Sequence, residues 1–312
     1  MRLAGKKIII TGAGSGIGAV AAQLFAQEGA AILVSDVVPS RATTVAEAIL
    51  AGGGNAIAVA ADVTKESDID LLIDAAVGEL GGLDVMWANA GIPEPNFGAT
   101  SFEDSETSVW GRVLDVNLNG VYYCFRAATR QFLRQGSTGN LLATSSAAAF
   151  VAYPGFPIYT VSKAAVNGLV RAAAVELGKY GIRANALCPV HGGSANFALP
   201  SNAPVVQQTW AEVGGAWDKA LAPMPLRLER PPSLSDHANL ALYLASDESA
   251  YVSGQCIESA SGGTFARPAI MMPSDRGESA NQTVLPTDVI EKIASDQAEA
   301  LRTQSAPKDQ RA

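Results

Sequence analysis

Seven short apolar runs recur between the N-terminus and about residue 265, each separated from the next by a stretch long enough for a helix. They are Lys6–Thr11, Ala31–Asp36, Ala56–Asp62, Leu83–Asn89, Asn140–Ser145, Arg183–Cys188 and Gln255–Ser259. Most are apolar at odd and even positions alike. That is the pattern of strands covered on both faces, whereas a half-solvated strand alternates. The intervening segments Ile17–Gln27, Arg41–Ala51, Ser67–Leu80, Ser108–Leu133, Ile158–Lys179 and Ser235–Ala245 read as helices. Glycines mark the returns at Gly29, Gly52–Gly54, Gly81–Gly82 and Gly181. Strand–helix–strand repetition predicts an α/β fold, an open doubly wound parallel sheet with helices on both faces.

Composition narrows the class further. A chain of 312 residues that is 48% hydrophobic and 17% charged has material for a full core and is not disordered. Its formal charge of −8 and pI near 4.9 leave nothing to release counterions from phosphates, so nucleic acid is not an expected partner. Cys124, Cys188 and Cys256 are odd in number and widely spaced, which suits a reducing compartment. Ile8–Ile10 is too short for a signal-peptide core, and no stretch reads as a spanning helix. A soluble, cytoplasmic protein without a membrane partner is expected.

Two regions break the rhythm. Residues 190–234 carry six prolines with Trp210 and Trp217 between them, too long for a plain connection, and read as an active-site lid. Residues 267–312 form a polar extension beyond a domain spanning 1–266. Within it Ile290, Ile293, Ala294, Gln297, Ala298 and Leu301 fall at helical spacing behind Thr287, a candidate N-cap for a short helix.

The first run leads directly into Thr11-Gly12-Ala13-Gly14-Ser15-Gly16-Ile17-Gly18 and then a helix. Glycines at such a turn let a pyrophosphate approach the N–H groups of the helix start, although a glycine turn can also be purely structural. Asp36 closes the second run twenty residues beyond Gly16. A carboxylate there accepts hydrogen bonds from an adenosine ribose and repels a 2′-phosphate. With no cation until Arg41, NAD is favoured over NADP. A strand-end Asp that only caps a turn is the competing reading.

Together with Asn89-Ala90-Gly91 and Tyr159-x-x-x-Lys163, these motifs resemble those of the short-chain dehydrogenase/reductase family. The resemblance covers about residues 3–266, and the ordered set is far more specific than any one motif. It implies a single Rossmann-type domain, a homotetramer, and NAD(P)-dependent oxidation or reduction.

Tyr159 and Lys163 share one helix face. A phenol with a pKa of about 10 is a poor base near neutrality, and an adjacent ammonium favours its phenolate. The resemblance makes Tyr159 the acid/base and gives Lys163 a second role on the nicotinamide ribose. It selects Ser146, thirteen residues earlier, to hydrogen-bond the reacting oxygen, with Ser145 as rival candidate. Asn117 matches the asparagine supporting a water-mediated proton relay, and a helix-bending asparagine is compatible with that. By family position Gly12, Ser15, Gly16, Ile17 and Gly18 would hold the pyrophosphate. Asp62 and Val63 would face the adenine, while Asn89, Ala90 and Gly91 would pass beside the ribose.

After the sixth run the pattern departs from the family. Pro189-Val190-His191-Gly192-Gly193-Ser194 replaces the usual Pro-Gly, and Ser194 stands where a Thr holding the carboxamide is common. Pro189, Gly192 and Ser194 remain the candidate contacts. His191 reads more simply as a histidine satisfied by backbone than as one facing the site. Ala260-Ser261-Gly262-Gly263 replaces a common Asp before two glycines. The apolar wall Ala147–Pro157 and the lid residues Phe197, Leu199, Trp210, Trp217, Leu221 and Met224 suit a lipophilic secondary alcohol or its ketone. Packing of the lid or a subunit contact would use the same residues. A dihydrodiol dehydrogenase or ketone reductase is the alternative within the family, and an NAD(H)-sensing binding protein the alternative outside enzymes.

Overall fold

Ile8 and Ile10 turn to one side of the central sheet and Ile9 to the other, and all three are fully buried. They lie on β1 (Lys7–Thr11), and the computed structural model, which describes residues 1–95, 101–199, 205–213, 226 and 228–260, repeats this division across the sheet. Ile32, Val34, Val85 and Trp87 join the first side, whereas Leu33, Met86 and Leu141 join the second. A strand sends successive side chains to opposite faces. Continuous apolar runs therefore supply two cores at once.

Seven parallel strands form the sheet in the order β3-β2-β1-β4-β5-β6-β7, with β2 at Ala31–Asp36, β3 at Asn55–Ala60, β4 at Val85–Ala88, β5 at Gly139–Thr144, β6 at Ile182–Pro189 and β7 at Cys256–Ser259. On the first side pack α1 (Gly16–Gln27), α2 (Pro39–Ala51) and α8 (Leu234–Ala245); on the second, α3 (Glu66–Ala75), α5 (Gly120–Gln135) and α6 (Pro157–Leu177). The chain winds outward from β1 to β3 and then returns to lay β4 against the other edge of β1. That reversal makes a crevice at the C-terminal ends of β1 and β4, the usual ligand position in such sheets.

All seven expected strands are present, with two informative differences. β3 is an edge strand and leaves Asn55, Ala58 and Ala60 exposed, because no further strand or full helix layer covers it. The single helix expected over Ser108–Leu133 is divided into α4 (Thr107–Leu114) and α5 by a wide π turn at Asp115–Asn119. A second wide turn, Ala76–Leu80, ends α3. In the first, Asn117 turns inward and is completely buried. Between β6 and α8 the described residues include a 3-10 turn at Ala195–Ala198, a bridge between Ser194 and Thr209, and the short α7 (Trp210–Val213). Trp217, Leu221 and Met224 of the expected lid, the helix expected near Ile290–Leu301 and Gly262-Gly263 lie outside the described residues. No helix of the described residues is long and apolar enough to cross a membrane.

Candidate active site

The glycine turn sits at the switch point, between β1 and α1. Gly12 and Gly16 hold φ of 61° and 57°, a region that strains any residue with a side chain. A methyl on Gly12 would lie 2.8 Å from Ala90 Cα, and one on Gly16 2.9 Å from Ser194 Oγ. Ser15 precedes α1 without a side-chain cap, and the first turn contains no acid. The helix therefore keeps amide hydrogens and its positive end for an external anion, which fits the pyrophosphate of a dinucleotide.

Asp36 ends β2 in the same corner and is 7% exposed. One oxygen accepts from Gly14 N at 3.0 Å and the other from Val38 N at 2.9 Å. Asp36 thus caps a turn and lies against the glycines. Arg41 comes nearer than its sequence distance suggests, since a methyl on Gly14 would meet both its Cβ and the Asp36 carboxylate. Asp62 accepts from Thr64 N and Oγ1 at 3.0 and 2.8 Å. Burial opposes its charge, but those bonds and Lys65 outweigh it and hold its pKa below the ordinary value. Val63 packs where a side chain on Gly120 would go.

Asn89 joins three strands. Its Nδ2 donates to Thr11 O and Gly12 O at 3.0 and 3.2 Å, and its Oδ1 accepts from Thr144 Oγ1 at 2.8 Å. Thr11 Oγ1 accepts in turn from the amides of Asn89 and Ala90. Gly91 marks where the relay candidates converge. A methyl there would lie 3.2 Å from Lys163 Nζ and 3.4 Å from Asn117 Oδ1.

The tyrosine, lysine and serine assemble above the ends of β5 and β6. Lys163 is 2% exposed; its Nζ donates to Thr144 O at 2.8 Å and lies 5.5 Å from the centroid of the Tyr159 ring. Burial brings its pKa down to about 8. Desolvation pushes the Tyr159 hydroxyl above the ordinary phenol range, and a hydrogen bond with Ser146 works against that rise. The two serines part company here. Ser146 reaches Tyr159 and accepts from Ala148 N at 3.1 Å, whereas the buried Ser145 donates to Lys163 O at 3.1 Å and braces the helix from behind. Asn117 uses its whole amide on neighbours: Oδ1 accepts from Ile92 N, and Nδ2 donates to Ile92 O and Ser162 Oγ.

The departing loop still brings Ser194 to the glycine turn, where its Oγ accepts from Asn196 N and Nδ2 at 3.3 and 3.2 Å. Phe197 meets the Tyr159 ring edge-on at 5.5 Å between centroids. Pro189 ends β6, and Gly192 offers its carbonyl to His237 Nε2 at 3.0 Å. Among the described residues the backbone-satisfied histidine is therefore His237, on α8, and not His191. Burial lowers the pKa of His191 against the opposing charge of Glu258, and its ring makes no hydrogen bond with the described residues. His237 also meets Ser259 Oγ at 2.6 Å and is completely buried. Sequence reading missed His237, Thr144 and Glu94; none belongs to a motif, and each acts through a partner distant in the chain.

A glycine turn at the switch point and a tyrosine–lysine helix opening on the same crevice are the arrangement of a Rossmann-type oxidoreductase. Comparison with known proteins agrees. A family model described as enoyl-(acyl carrier protein) reductase matches residues 12–264. Secoisolariciresinol dehydrogenase of Forsythia intermedia is 38% identical over 255 residues, 81% of this chain and 87% of that one. The mitochondrial (−)-isopiperitenol/(−)-carveol dehydrogenase of Mentha piperita is 36% identical, over 81% of this chain and 91% of its own. A crystal structure of a short-chain type dehydrogenase/reductase from Mycobacterium marinum superposes with a TM-score of 0.71 at 31% identity, covering 85% of this chain and 97% of that one. The chain belongs to the short-chain dehydrogenase/reductase family, whose members typically use a nicotinamide cofactor.

Proposed function

We propose that this protein is an NAD-dependent dehydrogenase that interconverts a lipophilic secondary alcohol and its ketone. The observation that carries the reading is the placement of Lys163 Nζ 5.5 Å from the centroid of the Tyr159 ring, with Ser146 near enough to the phenol to oppose the rise in its pKa. NAD, when bound, supplies the hydride acceptor, and Gly12, Ser15, Gly16, Ile17, Gly18, Asp36, Asn89 and Ser194 would hold it. The chain's own task is to orient the alcohol and move its proton.

Ser146 donates toward the alcohol oxygen and fixes it against Tyr159. Tyr159 takes the hydroxyl proton during oxidation and returns it during reduction. Burial alone holds the phenol protonated, so its use as a base depends on the positive charge of Lys163. Lys163 and Asn117, which converge beside Gly91, carry the proton outward through water. Asp36 favours NAD by presenting a buried carboxylate at the ribose corner, where a 2′-phosphate would be repelled.

Phe197 sets an apolar ring edge-on against Tyr159, consistent with a lipophilic substrate. Two of the relatives bear the names of carveol and secoisolariciresinol dehydrogenases. The test is NADH formation from NAD, with NADP in parallel, across a panel of lipophilic secondary alcohols. Tyr159→Phe should lose at least about 10³-fold in turnover while binding NADH within about threefold. A Phe variant that turned over normally would remove the mechanism. Faster turnover with NADP would reverse the cofactor assignment, and NADH binding without turnover on any alcohol would favour a sensor.

A further inference from the structure

The helix that carries Tyr159 and Lys163 has a defective beginning. Its N-cap is Phe156, whose side chain cannot accept a hydrogen bond, and Pro157 follows at the first helical position. Pro157 has no amide hydrogen, so the first turn exposes the N–H groups of Ile158 and Tyr159. A residue far back in the chain meets this need. Glu94, in the segment after β4, accepts from Ile158 N at 2.7 Å through Oε1, and the Tyr159 amide lies near enough to favour the charged carboxyl. The side chain is 1% exposed, and Oε2 has no hydrogen-bond partner among the described residues.

Burying a carboxyl group is costly unless its bonds offset the lost water. Here the Ile158 amide and the positive end of the helix offset part of that cost, and burial still holds the carboxyl's pKa above its ordinary value. The segment bearing Glu94 is itself tied down. Asn89 is bonded to Thr11, Gly12 and Thr144, and Ile92 is clamped through both its N–H and its C=O by Asn117. Glu94 is the third tether, and it ends one residue before Tyr159 in the helix.

We infer that Glu94 is a positioning residue for the reaction: it caps the catalytic helix from the neighbouring loop and so fixes the Tyr159 hydroxyl against Ser146. The inference rests on the proposed role of Tyr159. An error of about 1 Å at a reacting group is enough to cost about a hundredfold in rate. An acceptor at position 94 is what the geometry requires, so glutamine serves and an isosteric apolar side chain does not.

The test compares Glu94→Met with Glu94→Gln in the full chain. The methionine variant should lose about 30- to 100-fold in kcat, with KM for the alcohol changed by less than about threefold and NADH affinity retained. The glutamine variant should recover to within about fivefold of the parent. A methionine variant with parental kcat and only a lower Tm would overturn the inference, leaving Glu94 a structural cap. Equal loss in both variants would also overturn it, because charge and not the acceptor would then matter. If the methionine variant does not fold, Glu94→Asp, retracted by one methylene, must show the same loss in kcat with intact NADH binding; parental kcat in it would overturn the inference. Failure of the Tyr159 reading would appear separately, as normal turnover in Tyr159→Phe.

Discussion

The two lips of the crevice are built in different ways. The lip between β1 and α1 is made almost wholly of backbone, with glycines at positive φ, an uncapped helix start and Asp36 bonded to two amides. The lip after β6 hangs from side chains. His237 holds Gly192 O, Asn196 bonds both the N–H and the carbonyl of Val206, and Thr209 Oγ1 donates to Pro232 O. A backbone site needs particular residues at fixed spacing, whereas a side-chain lacing needs only some polar pair that reaches. The first is conspicuous in a sequence and intolerant of change; the second is inconspicuous and has alternatives.

Substitution should expose that contrast most strongly at Gly12. Alanine there would combine a strained φ with a methyl 2.8 Å from Ala90 Cα, both backbone problems. The expected loss is about 2–4 kcal/mol of stability, and NADH affinity should fall more than about tenfold in a fluorescence titration. Parental affinity in Gly12→Ala would mean that this lip is not built on backbone constraint. Next comes His237→Leu, which strips a partner from Gly192 O and Ser259 Oγ. It should cost about 1–3 kcal/mol, seen as a lower Tm, but leave NADH affinity within about fivefold.

The same histidine makes the second lip sensitive to acid. Burial lowers the pKa of both His237 and His191, so below the ordinary histidine value of 6.5 the unfolded chain binds protons that the folded one resists. Stability contributed by these groups is complete above that pH and is lost as pH falls through their folded values. Tm should therefore hold above about pH 6.5 and decline as pH falls below it. His237→Gln, which keeps a donor for Gly192 O, should decline less steeply, because His191 is then the only histidine left. An unchanged slope would remove His237 from the account. The smallest effect belongs to Arg230→Ala. The Arg230–Asp236 pair at the foot of α8 is half exposed, and although Arg230 holds Asp236 down to about 2, its loss should cost less than about 1 kcal/mol near neutral pH.

What could be read in the sequence follows the same division. The sheet was visible because a strand covered on both faces must be apolar throughout, and Ile8–Ile10 and Ala31–Asp36 satisfy that without help from distant residues. The glycine turn, Tyr159 and Lys163 were visible because spacing is their function. A bend at Asn117 was foreshadowed, but the partner that divides the long helix there, Ile92, was hidden, as was the cap supplied by Glu94, sixty-four residues from its partner. Nothing local in the sequence distinguishes His191 from His237, the one that meets backbone among the described residues. Their difference is the neighbour each meets after folding.

The seam between β1 and β4 also has a consequence for synthesis. Lys7–Thr11 leaves the ribosome early, but its second neighbour, Val85–Ala88, follows only after α1, β2, α2, β3 and α3. Until then a nascent half-sheet presents the apolar edge of β1 with its amides and carbonyls unpaired, a surface open to wrong pairing. Ribosome-stalled chains ending near residue 80 should therefore bind chaperones more avidly than chains long enough to expose β4. The arrangement that places the crevice at the middle of the sheet makes that middle the last part of the N-terminal half to be sealed.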